Sequence, residues 1–172
     1  MNSVPLTFVG HPFASTGVGE KIRADVRAAA AIHLQPLIYD IFGYSPRTDR
    51  DHLELARRFE TPKLPGGIRV FHINGDEVEA VEQVLASRGE SLSDGYNVVV
   101  PAWELPRYPE RWAAALRRFD EIWAISHFIA DSLKAADLPS VYIGHSVELE
   151  PRALLPRRSF GLRESAFVFL HF

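Results

Sequence analysis

Six side chains and one glycine loop carry the residue types in this chain that suit ligand chemistry. The loop, Phe8-Val-Gly-His-Pro-Phe-Ala-Ser-Thr-Gly-Val-Gly-Glu20, runs from an apolar stretch into a helical pattern. Gly17, Val18 and Gly19 offer backbone amides at the helix start, where the helix dipole adds partial positive charge. That combination suits a bound phosphate. It is not the dinucleotide fingerprint, since no third glycine stands at the required place, and the Gly-Lys-Ser/Thr of a nucleotide-triphosphate loop is missing. A tight turn with a glycine near the helix cap accounts for the same residues, so both readings stand.

His72 and Asn74 belong to Phe71-His-Ile-Asn-Gly-Asp-Glu77, the end of one apolar run and the start of a helix. Alternation places His72 on the face opposite Phe71 and Ile73, where its ring suits a sugar hydroxyl or a phosphate, or a purely structural role. Trp103-Glu-Leu-Pro-Arg-Tyr108 joins an aromatic plane, the Glu104 carboxylate and a guanidinium on a proline-stiffened loop, a set that suits polyols. A packed Trp103 beside an exposed Glu104–Arg107 ion pair is the plainer alternative. Ser126 either faces a ligand or caps its own helix. His145, in Gly144-His-Ser-Val147, faces a cleft or closes the domain. No Gly-x-Ser-x-Gly elbow supports a serine hydrolase, and no third ligand near His72 and Asp76 supports a metal. Glu82 and Glu90 straddle a helix end at Gly89, and their spacing is read as coincidence.

The elements that must position these residues alternate. Candidate strands are Leu6–Val9, Pro36–Tyr39, Ile68–Ile73, Asn97–Val100, Glu121–Ile125, Val141–Ile143 and Phe167–Phe172. Helical stripes lie between them: Ile22, Val26, Ala29 and Ile32; Val78, Val81 and Leu85; Trp112, Leu116 and Phe119; Phe128, Ile129 and Leu133. Asp76 is expected to cap the second of these helices and Gly89 to stop it, while Pro109 and Ser126 open the third and fourth. The pattern predicts an α/β fold with an open, mostly parallel sheet and helices on both faces. Residues 45–67 read as an excursion around one charged helix, Asp51–Phe59, and residues 151–161 as a linker rich in Pro and Arg. The last apolar run reads as the opening of a second domain, or as an added edge strand.

Composition sets the class. The chain has 172 residues, 47% apolar and 24% charged, with a net charge of −3, which fits one sizeable soluble core and gives no general attraction to nucleic acid. Zero cysteines exclude a disulfide framework and fit the cytoplasm. The first ten residues do not read as a signal peptide, and no apolar run approaches the roughly 20 residues that span a bilayer.

Taken in order, the segments STGVGE, HINGDE, PAWELPRYPERW, DEIWAISHFIADSL and YIGHSVE resemble the amino-terminal half of family 4 glycosyltransferases of the GT-B fold. The resemblance covers nearly the whole chain, and the Trp-Glu-Leu-Pro and Glu-Ile-Trp-Ala-x-Ser segments are its specific part. It implies a Rossmann-like acceptor-side domain over residues 1–150, with 151–172 as linker and first strand of a missing carboxy-terminal nucleotide-sugar domain. The implied reaction is retaining, metal-independent transfer of a sugar from a nucleotide-sugar donor to a glycan, lipid or small-molecule acceptor, with no resident cofactor. The implied roles put Gly17, Val18 and Gly19 near the donor diphosphate and His72 near the transferred sugar. Trp103, Glu104 and Ser126 would line the acceptor side, and His145 would stand near the domain crossover. The family's paired glutamates, seven residues apart, belong to the other domain, so this chain alone is expected to be inactive. Two rivals remain: a stand-alone saccharide- or anion-binding module, and an interaction domain that self-associates through its last strand. Peripheral membrane contact is a further expectation; a nucleic-acid partner is not.

Overall fold

A computed structural model describes residues 4–44, 49–147 and 155–169. Six strands form one sheet in the order β2-β1-β3-β4-β5-β6, every pair parallel: β1 (Leu6–Gly10), β2 (Pro36–Asp40), β3 (Ile68–Phe71), β4 (Tyr96–Val99), β5 (Glu121–Ala124) and β6 (Val141–Tyr142). Five helices connect or follow them: α1 (Gly17–Ala31), α2 (Arg50–Phe59), α3 (Val78–Ser87), α4 (Glu110–Leu116) and α5 (His127–Ala135). This is a Rossmann-like α/β fold, as the alternating apolar runs predict.

Period-two patterning makes the sheet two-sided. In the pairs Phe8/Val9, Val70/Phe71 and Val98/Val99, neighbouring residues enter opposite cores. The core with Phe8, Val70 and Val98 is closed by Ile22, Val26 and Ala29 of α1 and Leu55 of α2. The core with Val9, Phe71 and Val99 is closed by Val78 and Leu85 of α3, Leu116 of α4 and Leu133 of α5. Val9 pairs with Tyr39 on one side and Phe71 on the other, so β1 is an interior strand, one in from the β2 edge. From β1 the chain crosses first to β2 on one flank, then to β3 on the opposite flank. Such a reversal opens a crevice at the carboxyl ends of the two diverging strands, here β1 and β3.

Two expectations need adjustment, while the excursion's charged helix and the unrelated roles of Glu82 and Glu90 agree with the sequence reading. The cap of α3 is Glu77, not Asp76, because the helix starts one residue later; the Glu77 side chain caps no helix amide and instead accepts from the Asn74 amide at 2.9 Å. Residues 45–48 of the expected excursion lie outside the described residues; the charged helix itself appears as α2, capped by Asp49. Of the expected strand Phe167–Phe172, residues 170–172 lie outside the description. Phe167 and Phe169 are 85% and 91% exposed and join no strand, since no sheet edge reaches them. Glu82 and Glu90 have separate duties: Glu82 pairs with Arg118, while Glu90 accepts from the Tyr39 hydroxyl at 2.6 Å and the Leu64 amide at 2.8 Å.

Candidate functional site

The crevice between β1 and β3 is floored by a buried polar cluster. His72 directly follows β3, and its amide prolongs the ladder by donating to the Val9 carbonyl at 2.9 Å. Alternation then turns its ring toward α1, where it packs 6.1 Å from the Phe8 ring with Nε2 3.4 Å from Asp25 Oδ2. Asp25 stands one helical turn beyond Lys21, and the Lys21 ammonium pairs with its Oδ1. Ser146, from the segment after β6, donates to the same oxygen, and Lys21 Nζ lies 3.5 Å from Ser146 Oγ. The chain end of the described sheet is thereby tied back to its first helix.

Burial governs the electrostatics here. His72 is 1% exposed and Lys21 5%. Removal from water pushes the His72 pKa down to about 4; nearby Asp25 opposes that, while Lys21 and His145 add to it. The imidazole is therefore neutral at pH 7, and its Nε2 has no well-formed hydrogen bond among the described residues. A neutral imidazole of this kind exchanges hydrogen bonds with a hydroxyl more readily than it pairs with an anion.

Above this floor, three loops are clamped together. His11, leaving β1, meets Glu77 Oε1 at 2.8 Å, and the other Glu77 oxygen holds the Asn74 amide. Asn74 Oδ1 accepts from the Ala102 amide at 2.9 Å, joining the β3 and β4 loops. The Gly75 amide donates to the Tyr108 hydroxyl at 3.1 Å, and burial pushes that phenol up to about 12. Gly75 is required for this closeness, since a Cβ there would lie 2.5 Å from Trp112 Cβ.

The residues singled out in sequence divide accordingly. Gly17, Val18 and Gly19 form the first turn of α1, but the Gly19 amide is satisfied by Thr16 Oγ1 at 3.2 Å. Gly19 serves packing instead: a Cβ would collide with the Ala14 carbonyl and come within 2.9 Å of the His11 carbonyl. Asn74 is committed to loop bracing through its carbonyl. Trp103 donates to the Arg107 carbonyl at 2.9 Å and meets the Tyr108 and Trp112 rings edge-on, at 5.4 and 5.2 Å. Glu104 is exposed and forms no ion pair with Arg107 among the described residues. Ser126 caps α5 by accepting from the Ile129 amide at 3.2 Å. His145 is exposed and lies close enough to affect His72.

Only His72 of the original set thus belongs to the buried cluster, with His145 exposed beside it. Lys21, Asp25, Ser146, His11 and Glu77 escaped sequence reasoning. A separate cleft of about 440 Å³ between α1 and the start of α2 is lined by three arginines (Arg23, Arg27, Arg50), three acidic residues and His52, so its wall is charge-balanced.

No family model, curated protein or solved structure matches this chain. Among the described residues no helix is long and apolar enough to cross a membrane, and no cluster of three His, Cys, Asp or Glu residues is spaced to hold a metal ion.

Proposed function

We propose that this chain is the acceptor-side domain of a retaining glycosyltransferase of the GT-B type. The supporting observation is the convergence of Lys21, Asp25, His72 and the His145-Ser146 segment at the switch point of a parallel sheet, together with the ordered segments STGVGE, HINGDE, PAWELPRYPERW and DEIWAISHFIADSL. Ligands of open α/β sheets bind at this rim.

In this reading the anomeric carbon exchanges its bond to a nucleoside diphosphate for a bond to an acceptor oxygen, with the acceptor proton lost and the anomeric configuration kept. A second domain carries the nucleotide pocket. The Gly17 and Val18 amides face the leaving diphosphate, aided by the α1 dipole; the Gly19 amide, held by Thr16, takes no direct part. Neutral His72 orders the cluster beneath the transferred sugar. Glu104, exposed on a loop braced by Trp103, lies on the acceptor wall.

The experiment is turnover by the product of the complete coding region, offered a panel of uridine-, guanosine- and adenosine-diphosphate sugars with saccharide, lipid and small-molecule acceptors. Diphosphate release with retained configuration in the product, read by proton NMR, is expected. No turnover with any pair, or an inverted product, overturns the assignment. Saccharide binding without diphosphate release favours the non-catalytic binding module instead.

A further inference from the structure

Three rings cluster where β1 and β2 leave the sheet. His11 stacks on Phe42 with centroids 4.7 Å apart and planes at 17°; Phe42 stacks on Tyr44 at 5.2 Å and 21°; His11 and Tyr44 are 6.3 Å apart. Between Phe42 and Tyr44, Gly43 adopts φ +65°, and its amide donates to Asp40 Oδ1 at 3.0 Å. That left-handed turn brings two aromatic residues into ring-on-ring contact, and a side chain at position 43 would strain it.

The cluster is anchored from beneath. Glu77 holds the His11 ring at 2.8 Å and is itself held by the Asn74 amide, so the stack grows from a fixed base. Its outermost member, Tyr44, is 76% exposed. An aromatic ring kept this open forgoes much of the roughly 1.5–3 kcal/mol that burial of a large apolar side chain contributes. Position adds to this: the rings flank the same carboxyl rim on which His72 and the α1 amino terminus lie.

We infer that His11, Phe42 and Tyr44 form a stacking platform for a pyranose ring, which makes the acceptor a carbohydrate. This rests on the glycosyltransferase reading and narrows its acceptor class. A pyranose has an apolar C–H face and a polar rim of hydroxyls. The platform offers the complement, with an exposed aromatic surface outside and the Glu77 carboxylate and His11 imidazole at its inner side. A tyrosine already stacked on Phe42 loses little rotamer freedom when a ligand settles on it.

The test is saturation-transfer NMR on the full chain with methyl mannopyranoside, glucopyranoside and galactopyranoside, with uridine and octyl phosphate as contrasting probes. The variants are Tyr44→Ala, Tyr44→Phe and, as a distant control, Tyr96→Ala at the opposite strand ends. Tyr44 is exposed, so its variants keep the fold, checked by circular dichroism. Transfer to the C–H protons of at least one pyranoside is expected, about tenfold weaker in Tyr44→Ala and retained in Tyr44→Phe and Tyr96→Ala. No pyranoside response, a response unchanged in Tyr44→Ala, or a Tyr44-dependent response confined to uridine or octyl phosphate overturns the platform. The two failures separate. A Tyr44-dependent pyranoside response without sugar transfer by the complete coding-region product removes the transferase reading alone; transfer to a non-saccharide acceptor with Tyr44 silent removes the platform alone.

Discussion

His72 Nε2 stands 3.4 Å from Asp25 Oδ2, yet the imidazole is neutral and the carboxylate is engaged by Lys21 and Ser146. The proximity of an acid and a base therefore does not make an ion pair here. Desolvation of the ring outweighs the pull of the carboxylate, and the carboxylate already has an ammonium.

Stability should fall with acid through a defined window. His72 has an ordinary value of 6.5 and a folded value of about 4, so the unfolded chain takes up a proton that the fold refuses. The neutral ring's contribution is fully present above pH 6.5 and is lost as pH falls toward 4, a change of about 3 kcal/mol. Urea denaturation of the wild type and His72→Gln between pH 7 and 4.5 measures it. The variant should show a flatter slope, and parallel curves would contradict the assignment.

Removing the carboxylate should cost more than removing the pair. Asp25→Ala leaves the buried Lys21 ammonium uncompensated and should destabilise the fold by about 3–5 kcal/mol. Lys21→Met combined with Asp25→Leu removes both charges and should recover most of that loss. Denaturant midpoints of the single and double variants provide the comparison; equal losses would place the cost in shape rather than charge.

The two glycines of the α1 turn should respond oppositely. Gly19→Ala drives a methyl into the Ala14 carbonyl and should cost about 1–3 kcal/mol, while Gly17→Ala meets nothing within 4 Å and should be neutral or stabilise by up to about 1 kcal/mol. Thermal melting of both variants decides it. A tolerated Gly19→Ala would mean the loop yields.

Tyr108→Phe should strand the Gly75 amide beneath the β3 loop and destabilise by about 1–2 kcal/mol, with no pH dependence below pH 9, because the phenol titrates only near 12. Amide exchange at Gly75 gives a local readout: faster exchange in the variant is expected, and unchanged protection would show another acceptor in place.

The sheet was legible because its signal is redundant. Toward their carboxyl ends Leu6–Val9, Ile68–Phe71 and Asn97–Val99 each carry an adjacent apolar pair, one residue for each face, as parallel strands buried under two helical layers require. Ser126 and Gly89 were readable because caps and left-handed stops are local chemistry, and Gly89 indeed takes φ +69°. The buried cluster was not legible. Lys21 and Asp25 sit four residues apart on a helix, a spacing that reads equally as a solvent-exposed ion pair. Only the approach of His72 and of Ser146, from 121 residues away, reveals them as interior. Asp76 falls outside α3 because the helix starts one residue later, and the side chain of Glu77 at its cap accepts from the Asn74 amide and meets His11 rather than capping a helix amide. Trp103 looked like a ligand plane, and its ring is spent on Tyr108 and Trp112.

Because all six strands run the same way, each connector leaving a strand's carboxyl end starts on one rim. Several of those connectors also reach into the hydrophobic layers beneath, with Phe13 after β1, Ile41 after β2 and Ile73 after β3 all buried in the cores. Altering the rim's outward face without disturbing the fold therefore means exchanging exposed tips such as Tyr44 while those inner anchors stay in place.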